Sequence, residues 1–220
     1  MSLAIPFHTL SGPIDLAALC DGDMTAAIIV DTLAKLPRYN GRTGWLWSVA
    51  AHSLLVEHLA PPDLKGWALL HDAHEAFLGD ITTPVVELLC RTGGPGVEKA
   101  IEAAKLHLDH VIARAWGYPC RSHSLAIRQA DWLALQAEMA VFFGTSLSGL
   151  GPAERQQADA TVACIQTLPR LSWIAVRDAW IRRAEVLAQR GLLRLPPALL
   201  QPHPVSPART GHHPQRDARP

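Results

Sequence analysis

His71 and Asp72 stand in the middle of an apolar run, WALLHDAHEAFL. An unpartnered carboxylate is costly to bury, so any fold that packs this run inside must bring a cation or several donors to Asp72. The same run carries His74 and Glu75. His71 and Glu75 are one turn apart, as are Asp72 and Glu75, so a helix here would show a polar stripe to the protein interior. A divalent metal would satisfy that stripe. The simpler alternatives are a salt-bridged surface stripe, or a buried ion-pair cluster in a purely structural protein.

Helical punctuation dominates the rest of the chain. Thr25 opens a stretch with Ala27, Ile28, Val30, Leu33 and Leu36 on one period, and Pro37 ends it. RYNGRTGWLW (38–47) holds two glycines and no period, so a loop is predicted. Ser48 is placed to cap a helix over 49–60, and Pro61-Pro62 separates it from a single helix over 63–78 that Gly79 closes. A short helix from Thr82 and long helices over 97–116, 123–143, 153–167 and 171–190 follow. Strand-like alternation is nearly absent. The expected fold is therefore an all-α helical bundle over 25–195, with an irregular or hairpin lead-in over 1–24 and a disordered Pro/Arg/His-rich tail over 196–220. The tail histidines His203, His212 and His213 are expected to be solvated. Trp67, Trp132 and Trp173 fall at helical apolar positions and read as packing.

With 220 residues, 49% of them apolar and a formal net charge of zero, the chain can bury a full core and carries no broad electrostatic footprint for a nucleic-acid polymer. A small anionic substrate stays open, because a metal and one or two arginines can neutralise a phosphate locally. Cys20, Cys90, Cys120 and Cys164 are widely spaced without a CxxC, which predicts four reduced, mostly buried thiols. The N-terminus lacks a signal-peptide pattern and no run is long enough to span a membrane, so a cytoplasmic setting is expected.

His52 in SVAAHSLLV and Asp131 in AIRQADWLALQAEM extend the polar set to three predicted helices. The ordered pattern H…HD…D, made by His52, His71, Asp72 and Asp131, resembles the HD-domain metal-dependent phosphohydrolases. Arg38 in PRYNG and the extended run ALLHDAHEAFLGDITTPV bring it closest to the branch of 5′-deoxynucleotidases and related small-nucleotide hydrolases. The similarity covers about residues 25–140. It implies an HD-domain helical bundle whose metal ligands are His52, His71, Asp72 and Asp131. The donor set is borderline to hard and suits Mn, Co, Mg, Fe or Zn without choosing among them.

The resemblance also assigns roles. Glu75 would act in proton transfer beside the metal, or only orient His71. Arg38 would grip a phosphate with its planar fork, or merely cap its loop. Asp80 would lie near the ribose or leaving oxygen, or cap the helix near Thr82. His74 would donate to phosphate or support the fold, and Arg42 is a further phosphate candidate. Trp45 and Trp47 would form a stacking wall for a nucleobase, or pack the core. Tyr39 stands where the nucleotidases often have a tryptophan, which leaves base and sugar preference open.

The implied function is hydrolysis of small nucleotides, foremost (deoxy)nucleoside 5′-monophosphates, by attack of a metal-activated water on phosphorus. A deoxynucleoside triphosphate triphosphohydrolase is the alternative within that class, and a non-catalytic nucleotide-sensing HD module is the alternative outside it. Helical proteins of this sort often pair, so a homodimer is expected by analogy.

Overall fold

The computed structural model describes residues 3–9, 12–167 and 170–196. The lead-in is an antiparallel hairpin, β1 (Pro6–Thr9) on β2 (Gly12–Asp15), with Pro6 opposite Asp15. All other regular structure among the described residues is helical: α1 (Ala26–Lys35), α2 (Val49–Leu59), α3 (Lys65–Leu70), α4 (Glu75–Leu78), α5 (Thr83–Gly93), α6 (Gly96–Ala115), α7 (Leu125–Phe143), α8 (Pro152–Thr167) and α9 (Trp173–Gln189), with short 3₁₀ turns between. The fold is thus the expected all-α bundle. From residue 197 on, the expected tail lies outside the described residues.

Local signals account for most boundaries. Thr25, Ser48 and Ser172 each cap a helix by accepting a backbone N–H, from Ile28, Ala51 and Ala175. Gly144 ends α7 in the left-handed conformation. α2, which carries His52, packs against α1, α3, α7 and α9 and is the central helix. Trp67, Trp116 and Trp180 are fully buried, and the last two meet edge to face at 5.5 Å. Packing of this apolar set supplies the driving force for the bundle.

Two expectations need correction. The helix predicted over 63–78 is broken. Residues 71–74 form a turn between α3 and α4, closed by bonds from Ala73 N to Leu70 O, Glu75 N to Asp72 O and Ala76 N to Ala73 O. This i→i+3 pattern tightens the chain and stacks residues three apart, which brings Asp72 and Glu75 over one another. The cysteines are free, as expected, but not mostly buried: Cys20 and Cys164 are exposed, and Cys90 and Cys120 are half-buried. Their positions on outer helix faces and in loops override the residue type's usual preference. No helix among the described residues is long and apolar enough to cross a membrane.

Candidate metal centre

Three elements deliver four side chains to one point. α2 supplies His52, the turn after α3 supplies His71 and Asp72, and α7 supplies Asp131. His52 Nε2 lies 2.9 Å from Asp131 Oδ1 and 3.7 Å from Asp72 Oδ2. His71 Nε2 lies 3.1 Å from Asp72 Oδ2 and 3.9 Å from Asp131 Oδ1. One ligand atom from each of His52, His71 and Asp72 falls within 4.8 Å of the others, a spacing that could hold a metal ion; the expected fourth ligand, Asp131, is not in that grouping and meets it through the two imidazoles. Despite its contact with Asp72, His71 Nε2 is buried and makes no aligned hydrogen bond. A buried ring nitrogen with no aligned hydrogen bond, facing two carboxylates and a second imidazole, is what a divalent cation would satisfy, so the donor set fits.

The rings are held from behind. His52 Nδ1 lies 2.7 Å from Glu138 Oε1, and His71 Nδ1 lies 2.8 Å from the Ala68 carbonyl. Acceptors on Nδ1 fix both rings so that Nε2 faces the centre. Glu138 was not among the residues singled out from sequence, yet it is fully buried and organises the site. It also accepts from Arg38 Nε (3.1 Å), Tyr39 Oη (2.8 Å) and Trp47 Nε1 (2.9 Å). One signal could have found it: Glu138 follows Asp131 by seven residues on an apolar helix, hence on the same face.

The loop over 38–47 is clamped at its base, where Arg38 N donates to Trp47 O and Val49 N to Leu36 O. Within it Tyr39 and Asn40 sit in the left-handed region, at φ 56° and 52°. Such a conformation is strained for a side chain as large as tyrosine, and it persists here where Tyr39 reaches Glu138. Arg38 Nε is committed to Glu138, and Nη1 lies 3.7 Å from Asp72 Oδ2. Its guanidinium therefore borders the metal centre.

The electrostatics follow from burial and neighbours. Burial and Arg38 disfavour a charged His52, but Glu138 and Asp131 outweigh them and push its pKa up to about 10 in the cation-free state. Burial opposes ionisation of Glu138, yet His52 and Arg38 prevail and bring it down to about 2. Burial likewise opposes ionisation of Asp72, and His71 more than reverses that, holding it well below the usual range. Glu75 goes the other way: burial first, then the Asp72 and Asp80 charges, raise it to about 9. Asp80 is raised by burial, with Arg38 opposing. Two carboxyls one helical turn apart are thus driven in opposite directions, a mark of functional sites.

A cavity of about 520 Å³ opens on this centre, lined by Arg38, Arg42, Asp72, Glu75, Asp80 and Asp131 among others. Its size suits a small-molecule ligand. A second cavity of about 390 Å³ shares Asp72, Lys105 and Asp131 with the first and includes His71, His74, Asp109 and Ser122. His74, Glu75, Asp80, Arg38 and Arg42 therefore all border the centre or its cavities. Trp45 and Trp47 do not line either one. They flank Phe142 at 4.9 and 5.4 Å and line a separate apolar cavity of about 260 Å³. The Trp47 indole is turned inward by its bond to Glu138, which removes the expected stacking wall from the metal centre.

No protein-family model matches the chain. Part of it is similar to the uncharacterized Escherichia coli K12 protein YfdR, 31% identical over 116 residues, 53% of this chain and 60% of that one. Part is also similar to an uncharacterized Rhodobacter capsulatus protein, 35% identical over 133 residues, 56% of this chain and 65% of that one. The matches thus span less than two thirds of either relative, and the names of both leave their activity open.

Proposed function

We propose that this chain is a metal-dependent phosphohydrolase of the HD-domain type, acting on small nucleotides and foremost on (deoxy)nucleoside 5′-monophosphates. The observation that carries the reading is the buried His71 Nε2, which makes no aligned hydrogen bond and faces His52, Asp72 and Asp131, with Arg38 alongside. His52, His71, Asp72 and Asp131 would hold the cation. When bound, it would supply Lewis acidity that makes water nucleophilic near neutral pH and offsets phosphate charge.

The chain's own groups divide the remaining work. Arg38 is anchored through Nε and offers its terminal nitrogens to phosphate oxygens in a fixed plane. Arg42 and Lys105 line the same cavity and add positive charge at its walls. Glu75, raised to about 9 by burial and by the Asp72 and Asp80 charges, holds a proton that its carboxyl can give up and take back. Asp80 faces the same space and can accept from a sugar hydroxyl or a leaving oxygen.

The deciding experiment is colourimetric phosphate release from deoxynucleoside mono- and triphosphate panels, each with Mn, Co, Mg and Zn. Inorganic phosphate from the monophosphates is expected. Thermal stabilisation by a nucleotide with no phosphate from any substrate would turn the reading into a sensor.

A further inference from the structure

The apolar cavity beside Trp45 and Trp47 shares no lining residue with the two cavities at the metal centre. It lies between the loop over 38–47, α2, α8 and the start of α9. Buried Trp47, Leu55, Ile165 and Val176 form its floor, and exposed Leu46 and Cys164 stand at its rim. At about 260 Å³ it is far larger than the voids that close packing leaves in a core.

Its walls are pinned and cannot swing in to close it. Trp47 Nε1 donates to Glu138 at 2.9 Å, and the Trp47 carbonyl accepts from Arg38 N. The Trp45 ring meets Phe142 edge to face at 4.9 Å and carries the Arg170 guanidinium at 5.1 Å. The Trp45 carbonyl accepts from Thr43 Oγ1 at 2.6 Å. Rotating either indole inward would break these contacts. The cavity is therefore a preformed pocket, the kind that binds a small ligand with little reordering.

The lining selects the ligand. Only His58, Cys164 and the two indoles bring a side-chain heteroatom to it, and the Trp47 nitrogen is taken by Glu138. A nucleobase edge would leave several donors and acceptors unpaired there. A hydrocarbon body would leave none, and would gain from burial against two tryptophans. An apolar cavity of about 150 Å³ takes up benzene, so this one suits a single ring with a short chain. Arg170 supplies a charge beside it and forms no ion pair among the described residues. An anionic head would complement that charge.

We propose that this cavity binds a small hydrophobic carboxylate, its body against Trp45 and Trp47 and its head towards Arg170. The site lies outside the metal centre and does not rest on nucleotide hydrolysis.

The probes are hydrocinnamate and the neutral hydrocinnamyl alcohol, titrated into the full chain by calorimetry and tryptophan fluorescence. Saturable binding of both is expected, with the carboxylate about two- to fivefold tighter, the margin of an exposed ion pair. Arg170→Ala should erase that margin and leave the alcohol unchanged. Ala179→Phe fills the cavity from α9 and should weaken both probes by about tenfold or more. In the wild type, bound hydrocinnamate should slow maleimide labelling of Cys164 severalfold, whereas Cys20, exposed and outside the lining, should label at its free rate. Absence of saturable binding, wild-type affinity in a folded Ala179→Phe, or unprotected Cys164 overturns the site. Equal affinity for acid and alcohol overturns the carboxylate. If thermal melts show that Ala179→Phe does not fold, protection of Cys164 decides alone. Phosphate release without probe binding would sink this site and spare the activity, and probe binding without phosphate release would do the reverse.

Discussion

Glu138 grips His52 from behind, with Nδ1 2.7 Å from Oε1 and neither side chain accessible to solvent. The same carboxylate ties down Arg38, Tyr39 and Trp47. One buried charge thus sets both the His52 imidazole and the arginine beside it. Glu138→Gln keeps the volume and loses the charge. Mn(II) affinity by calorimetry should fall about 10–100-fold. Wild-type affinity would show that His52 is oriented by packing alone.

The His52–Glu138 pair also makes stability of the chelated protein depend on pH. Glu138 is depressed from 4.5 to about 2, so its contribution is full above pH 4.5 and is lost as pH falls towards 2. His52 is raised from 6.5 to about 10, so its contribution is full below pH 6.5 and is lost as pH rises towards 10. Melting temperature in chelator should therefore be highest between about pH 4.5 and 6.5 and decline on both sides. Glu138→Gln should flatten both limbs; unchanged limbs would assign the dependence to other groups.

Removing Asp72 should abolish metal retention and phosphate release together, because it is the carboxylate nearest His71 and also lies 3.7 Å from Arg38. Glu75→Ala should lose turnover by about 100-fold or more yet keep the cation at His52, His71, Asp72 and Asp131. Metal analysis beside phosphate-release kinetics separates the two. Full activity in Glu75→Ala would remove its proton role.

Arg38→Lys preserves charge and loses the planar fork. Lysine cannot hold Glu138 through a side nitrogen and still offer two more to a phosphate. KM for a monophosphate should rise about tenfold or more, with a smaller change in kcat. A KM within twofold of wild type would place the phosphate elsewhere.

Gly66 offers a control outside the lining of either cavity. A Cβ at this helical position would run into the Leu192 carbonyl oxygen and the Tyr118 ring. Gly66→Ala should cost about 1–3 kcal/mol of unfolding free energy, although alanine is the better helix former. Urea unfolding would measure it, and a stabilised variant would mean that the chain after α9 packs more loosely than observed.

The sequence by itself determined the helical class, most helix limits and the His/Asp residues that meet at the candidate centre. Apolar periodicity, caps such as Ser48 and breakers such as Pro37 act over a few residues, and HD in an apolar run announces a buried carboxylate needing a partner. Tertiary packing decided the rest. Trp45 and Trp47 look available for stacking until α7 brings Phe142 and Glu138 against them. The turn at 71–74 breaks a run whose periodicity reads as one helix. Glu138 meets His52 across 86 residues, and Asp109 meets His74 across 35. Such pairings depend on how helices dock, and local chain preferences carry no record of which distant side chain will neutralise a buried charge.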